Sequence, residues 1–103
     1  MGNPLRIENI QEALIEVGNQ QVLLDSDIAQ ICEVATRDIN KAVSNNRIKF
    51  PDDYIVVLTT GEKTELVEKF HRFNKLIHST VLPKAFPDKG LYMLVTILIE
   101  RKR

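Results

Sequence analysis

Arg37, Asn40, Lys41 and Ser44 fall at positions i, i+3, i+4 and i+7, a spacing that sets four side chains on one face of an α-helix. Two of these are types that read base-pair edges in the major groove. Arg forks onto the two acceptors of guanine, and Asn pairs with the donor and acceptor of adenine. Lys and Ser commonly hold phosphate oxygens instead. Thr36 stands at the start of the same run, and Arg47 and Lys49 come just after it, within reach of a nucleic-acid backbone. The chemistry that this set offers is recognition of duplex DNA, with Thr36, Arg37, Asn40, Lys41, Ser44, Arg47 and Lys49 as the candidate contacts. The competing reading is a plain helical hairpin with a solvated polar face.

Other groups offer less. His71 and His78 lie seven residues apart, about two helical turns, but no Cys or acidic side chain joins them at ligand spacing. No metal site is expected. Asp52-Asp53 beside Pro51 reads as turn chemistry, and the stretch from Gly61 to Leu66 lacks the second glycine and the Gly-Lys-Ser/Thr ending of a phosphate-binding loop. Phe70, Phe73 and Tyr92 recur among other apolar residues and read as core rather than as platforms for bases. No nucleophile, base and orienting acid can be named, so the chain is expected to be no enzyme, with no catalytic residues and no cofactor. Cys32 is the single cysteine and falls on an apolar helical face, which makes it a buried thiol with no partner for an internal disulfide.

The elements that must hold the candidate face are two short helices. Asp25 or Ser26 can cap a helix from about 26 to 33, and Thr36 can cap a second from about 37 to 46, with Asp38 in its first turn favoured by the helix dipole. Only Glu33-Val34-Ala35 separates them. A small residue, Ala29, suits the close contact, Val34 flanks the turn, and Ile39, Ala42 and Val43 form the inward face of the second helix. Glu33 stands where such a turn prefers glycine for a left-handed backbone, at a cost of about 1 kcal/mol or with a somewhat different turn.

Around this pair the chain reads as mixed. Residues 5 to 17 suggest a short helix or coil, followed by a hairpin from "LIEV" through Gly18-Asn19 to "QQVLL". Tyr54 to Leu58 reads as a largely buried strand. "TTGEKTELVEKFHRFNKL" reads as one amphipathic helix on Leu66, Phe70, Phe73 and Ile77. "STVLPKAF" reads as an extended edge segment because Pro83 cannot donate to a ladder. From Pro87 a last helix, apolar almost all round, should be the central packing element. The expected class is α+β: a small mixed domain with a helix-turn-helix-like pair, short strands including a hairpin, and a buried C-terminal helix.

At 103 residues and 44% hydrophobic the chain suits one domain, spanning 1–103. Net charge is zero, but residues 1 to 36 carry Arg6 against six carboxylates, while residues 37 to 103 carry 13 cations against eight. That split permits one basic face. The N-terminus has no leader pattern, and no apolar stretch approaches the roughly 20 residues of a bilayer span, so a cytoplasmic protein without membrane contact is expected. The final Glu-Arg-Lys-Arg falls inside an expected helix, which suggests the N-terminal piece of a longer protein or a lone module.

Residues 18 to 59 and 82 to 98 resemble the ORF-six-N domain of phage antirepressors, a relative of the KilA-N and Bro-N domains. The shared features run in order: a Gly-x-x-Val hairpin, "DSDIA", "INKAV", "FPDDY" before a strand, a Leu-Thr helix start, "LPKAF", and a glycine-containing helix with Met93-Leu94. The resemblance implies DNA binding and a phage or prophage regulatory setting, often beside separate C-terminal domains. The sequence departs from the pattern at Glu33, at the basic stretch thinned to Lys75 and His78, and at Pro87. Those departures imply either weaker DNA binding or binding that rests more on Arg37, Lys41, Arg47 and Lys49. Two partner classes follow: double-stranded DNA, with a homodimer spanning two half-sites, or a repressor protein seized through the acidic N-terminal third.

Overall fold

The computed structural model describes residues 7–101. Leu5 and Arg6, at the expected start of the first segment, and Lys102 and Arg103 at the end of the basic run, lie outside the described residues. The chain folds as α1 (Ile7–Ala13), a hairpin of β1 (Ile15–Val17) and β2 (Gln20–Leu24), and then α2 (Asp25–Cys32) and α3 (Thr36–Asn45). A 3-10 turn (Arg47–Lys49), β3 (Val56–Val57), α4 (Thr60–Lys69), a 3-10 segment (His71–His78), β4 (Lys84–Phe86) and α5 (Asp88–Arg101) complete it. This is an α+β fold, as the sequence reading expects.

Hairpin and sheet follow from period-two patterning. Gly18, at φ +62, supplies the positive backbone angle at the first central position of the turn that pairs Val17 with Gln20. The sheet runs β1-β2-β4-β3, antiparallel throughout, with Leu23 opposite Phe86 and Ala85 between Leu24 and Val56. Alternate residues of β2 and β4 enter opposite cores. Leu23 and Phe86 pack with Ile28, Ala29, Ile39, Ala42, Leu94 and Ile97, whereas Val22, Leu24 and Ala85 pack with Leu58, Leu66 and Phe73. Helices α2, α3 and α5 thus cover one face, and α4 with its 3-10 extension covers the other. Because both faces are buried there, the second half of β2, Val22 to Leu24, is a continuous apolar run, while Gln20 and Gln21 beside the turn are exposed.

Three expectations about the sheet and the helix that follows it are corrected. Pro83 does not mark an edge: the strand proper begins at Lys84, so the missing N–H falls just outside the ladder, and β4 lies inside the sheet while the Pro83 carbonyl accepts from Leu58 N–H at 3.0 Å. The edge on that side of the sheet is β3, only Val56–Val57, with Val57 56% exposed rather than buried. The long amphipathic helix is broken at Phe70, which leaves helical geometry at φ −126, ψ 112; Phe73 stays in the core but Ile77 is turned outward. The break is held by Arg72, whose guanidinium stacks 4.5 Å from the Phe73 ring centroid and donates to Asp27 at 3.2 Å. Lys63 also donates to the Ser79 carbonyl, tying the segment back to α4.

α5 begins as Pro87 accepts from Leu91 N–H at 2.9 Å, and Gly90 lets its first turn lie against the Tyr54 carbonyl. Leu94, Ile97 and Leu98 carry it into the core. Its outer side is not apolar packing: Tyr92 and Ile99 are exposed, which corrects the core role expected of Tyr92. No helix among the described residues is long and apolar enough to cross a membrane.

Candidate nucleic-acid interface

α2 has an interior it cannot fill alone: Ile28, Ala29 and Cys32 are buried on one side of it, and α3 answers with Ile39, Ala42 and Val43. The two helices are joined by Glu33, Val34 and Ala35. Glu33 adopts φ 58, ψ 45, the only positive φ outside glycine among the described residues. Two hydrogen bonds close the end of α2: Val34 N–H donates to the Ala29 carbonyl at 2.9 Å and Glu33 N–H to the Gln30 carbonyl at 3.3 Å. This is the Schellman arrangement, in which a left-handed residue satisfies carbonyls that the helix leaves open. The turn is thus the glycine-type one, held by a glutamate.

Neither helix uses the side-chain cap expected of it. Leu24 precedes α2, and Ala35 rather than Thr36 precedes α3. Asp38 closes the start of α3 from within, its carboxylate accepting from Ala35 N–H at 3.1 Å. At the far end Asn46 donates through Nδ2 to the Ala42 carbonyl at 2.8 Å, and the chain enters the 3-10 turn with Lys49 N–H donating to Asn46.

With Ile39, Ala42 and Val43 inward, Arg37, Lys41 and Ser44 are exposed on the opposite side of α3, and Arg47 and Lys49 follow exposed on the 3-10 turn. Thr36 and Asn40 are half-buried. Asn40 is not an open reader: its Nδ2 donates to the Thr36 carbonyl at 3.3 Å, and its Oδ1 accepts from Lys84 Nζ at 3.0 Å. Between α3, the 3-10 turn and strands β3 and β4 lies a surface depression of about 450 Å³, lined by Asn40, Ser44, Arg47 and Lys84, with Asp52 as its one carboxylate.

Lys84 is the residue that sequence reasoning missed. It lies 44 positions from Asn40 and meets it only because β4 enters the middle of the sheet. Its backbone N–H also donates to Asp25 at 3.4 Å, and Asp25 accepts from Ser26 N–H at 2.8 Å. Burial, at 5% exposure, pushes the Asp25 carboxyl above the ordinary aspartate range, partly offset by these hydrogen bonds and by the Lys84 charge. Asp25, Lys84 and Asn40 thus form one polar connection from the start of α2, through the sheet, to the outer side of α3. His71 is engaged with Asn74 at 3.1 Å, and no group of three His, Cys, Asp or Glu arranged for a metal occurs among the described residues.

Against known families, a model described as the ORF6N domain matches residues 12–97. The chain belongs to the ORF6N domain family. The match takes in the hairpin, both helices of the tight pair, the whole sheet and most of α5, so the elements that present Arg37 and Lys41 are family elements of an ORF6N domain. This is a phage-type family, in keeping with a regulatory role. Comparison with curated proteins and with solved structures returns no match.

Proposed function

We propose that this ORF6N domain is a non-catalytic, phage-type regulatory module that binds duplex DNA with α3 as its reading helix. The observation that carries the reading is the division of α3 into a fully buried side, Ile39 and Ala42, and an exposed side bearing Arg37, Lys41 and Ser44, continued by Arg47 and Lys49. Recognition helices contact bases from their N-terminal residues, which gives Arg37 the base-reading position. Lys41, Ser44, Arg47 and Lys49 then serve the phosphates, which supply most of the affinity in such complexes. Asn40 reads only when Lys84 lets go of its Oδ1; a phosphate at the depression favours that by offering Lys84 a charged acceptor. Thr36, at the N-terminal turn, borders the groove. A homodimer would present two such helices to half-sites about 34 Å apart.

Selection of bound fragments from a random duplex pool at two salt concentrations tests the reading. An enriched motif, recovered less at the higher salt, supports it. If no duplex is retained at low salt while the protein captures a repressor-type partner that charge reversal at Glu12 and Glu16 releases, the domain is a protein-interaction module instead.

A further inference from the structure

Ile48 is 95% exposed, the most exposed of the large apolar side chains among the described residues, and it stands between two exposed cations, Arg47 and Lys49. A single exposed apolar residue is common on protein surfaces. What sets Ile48 apart is that it is held out rather than left on a loose loop. Asn46 N–H donates to the Val43 carbonyl at 3.1 Å, Lys49 N–H to Asn46 at 2.9 Å, and Phe50 N–H to Arg47 at 3.0 Å. Phe50 then plugs into the core at 7% exposure, edge-on to Phe86 with ring centroids 6.2 Å apart. The 3-10 turn is pinned on both sides, and Ile48 is its outward tip.

We propose that Ile48 is an apolar wedge that enters the minor groove beside the groove occupied by α3, with Arg47 and Lys49 on the flanking phosphates. The inference rests on the DNA-binding reading above. α3 runs on from Arg37 to Asn45, and at a helical rise of about 1.5 Å per residue that is about 12 Å, after which the 3-10 turn carrying Ile48 follows directly. With Arg37 on base edges, the C-terminal end of α3 is carried to the rim of a major groove about 12 Å wide. A tip at that distance meets the phosphate strand and the minor groove behind it. Minor-groove proteins use an apolar side chain flanked by cations in this way, partly unstacking a base step and bending the duplex. Charge complementarity names the occupant, because an apolar tip between two cations suits a polyanion with an apolar interior better than it suits another copy of this surface.

The test uses the full chain and a duplex bearing its selected site, comparing wild type, Ile48→Ala, Ile48→Asn and Arg37→Ala by binding titration and by end-to-end energy transfer that reports bending. Both Ile48 variants are expected to keep the wild-type thermal midpoint, to lose about tenfold in affinity, and to leave the duplex straighter. A minor-groove ligand added to the wild-type complex is expected to compete. Wild-type affinity and bend in both Ile48 variants, while Arg37→Ala still loses site preference, would remove the wedge and leave the reading helix. Failure of the wild type to bind any duplex at low salt would remove both. A change in sedimentation of the DNA-free Ile48 variants would assign the residue to self-association and overturn the proposal.

Discussion

Replacing Glu33 by glycine should stabilise the domain. Glu33 is held at φ 58, ψ 45 with its side chain exposed, so the substitution relieves left-handed strain without emptying a packed space. Left-handed geometry costs an L-residue about 1–2 kcal/mol, while glycine adds about 0.5–1 kcal/mol of unfolded-chain entropy. The net gain is about 0.5–1 kcal/mol, or about 3–6 °C in midpoint for a domain of this size. Glu33→Ala separates the causes, because it keeps the Cβ and removes only a carboxylate from the negative end of the α2 dipole, an effect of about 0.3 kcal/mol. Thermal and urea denaturation of the three proteins decides the matter. An alanine variant as stable as the glycine variant, or a glycine variant less stable than wild type, would refute the assignment of strain to this turn.

The two glycines within helices, Gly90 and Gly61, should respond in opposite directions to alanine. A Cβ on Gly90 would lie 1.6 Å from the Tyr54 carbonyl oxygen, a backbone atom, so Gly90→Ala should cost about 3 kcal/mol or more in urea denaturation. At Gly61 the nearest atom would be 3.9 Å away, and Gly61→Ala in exposed α4 should gain about 0.5–1 kcal/mol. Asp25 sets a pH dependence. Its folded carboxyl binds a proton more tightly than the unfolded chain does, so its contribution is most favourable in acid and is lost as pH rises from the ordinary aspartate range through the raised folded value. The stability of wild type relative to Asp25→Asn, measured by denaturation at acid and neutral pH, should therefore fall with rising pH; a rise would contradict the burial cause.

Local patterns made the hairpin, the tight helix pair and the inward face of α3 legible, because each depends on residues within a few positions of one another. Gly18-Asn19 announces a turn, and Ile39, Ala42 and Val43 announce a helical face. What failed depends on distant partners. Periodicity alone carried the helix through Phe70, whereas Arg72, pairing with Asp27 and stacking on Phe73, stabilises a break there. Pro83 suggested an edge, since nothing local tells that the ladder starts one residue later. The seven candidate contacts were all found on or beside α3, yet Asn40 was read as open because its partner Lys84 comes from another element. The same sheet contact that hides Asn40 brings a further cation to the depression beside α3.

The central claim, that α3 reads duplex DNA, is tested most directly by the salt dependence of binding for wild type, Lys41→Ala and Arg37→Ala on the selected site and on random duplex. The account predicts that Lys41→Ala weakens binding on both and flattens the logarithmic salt slope by about one. It predicts that Arg37→Ala costs about 1–3 kcal/mol on the selected site alone. Equal losses on both duplexes would remove Arg37 as a reader, and wild-type binding that does not change with salt would contradict the account as a whole.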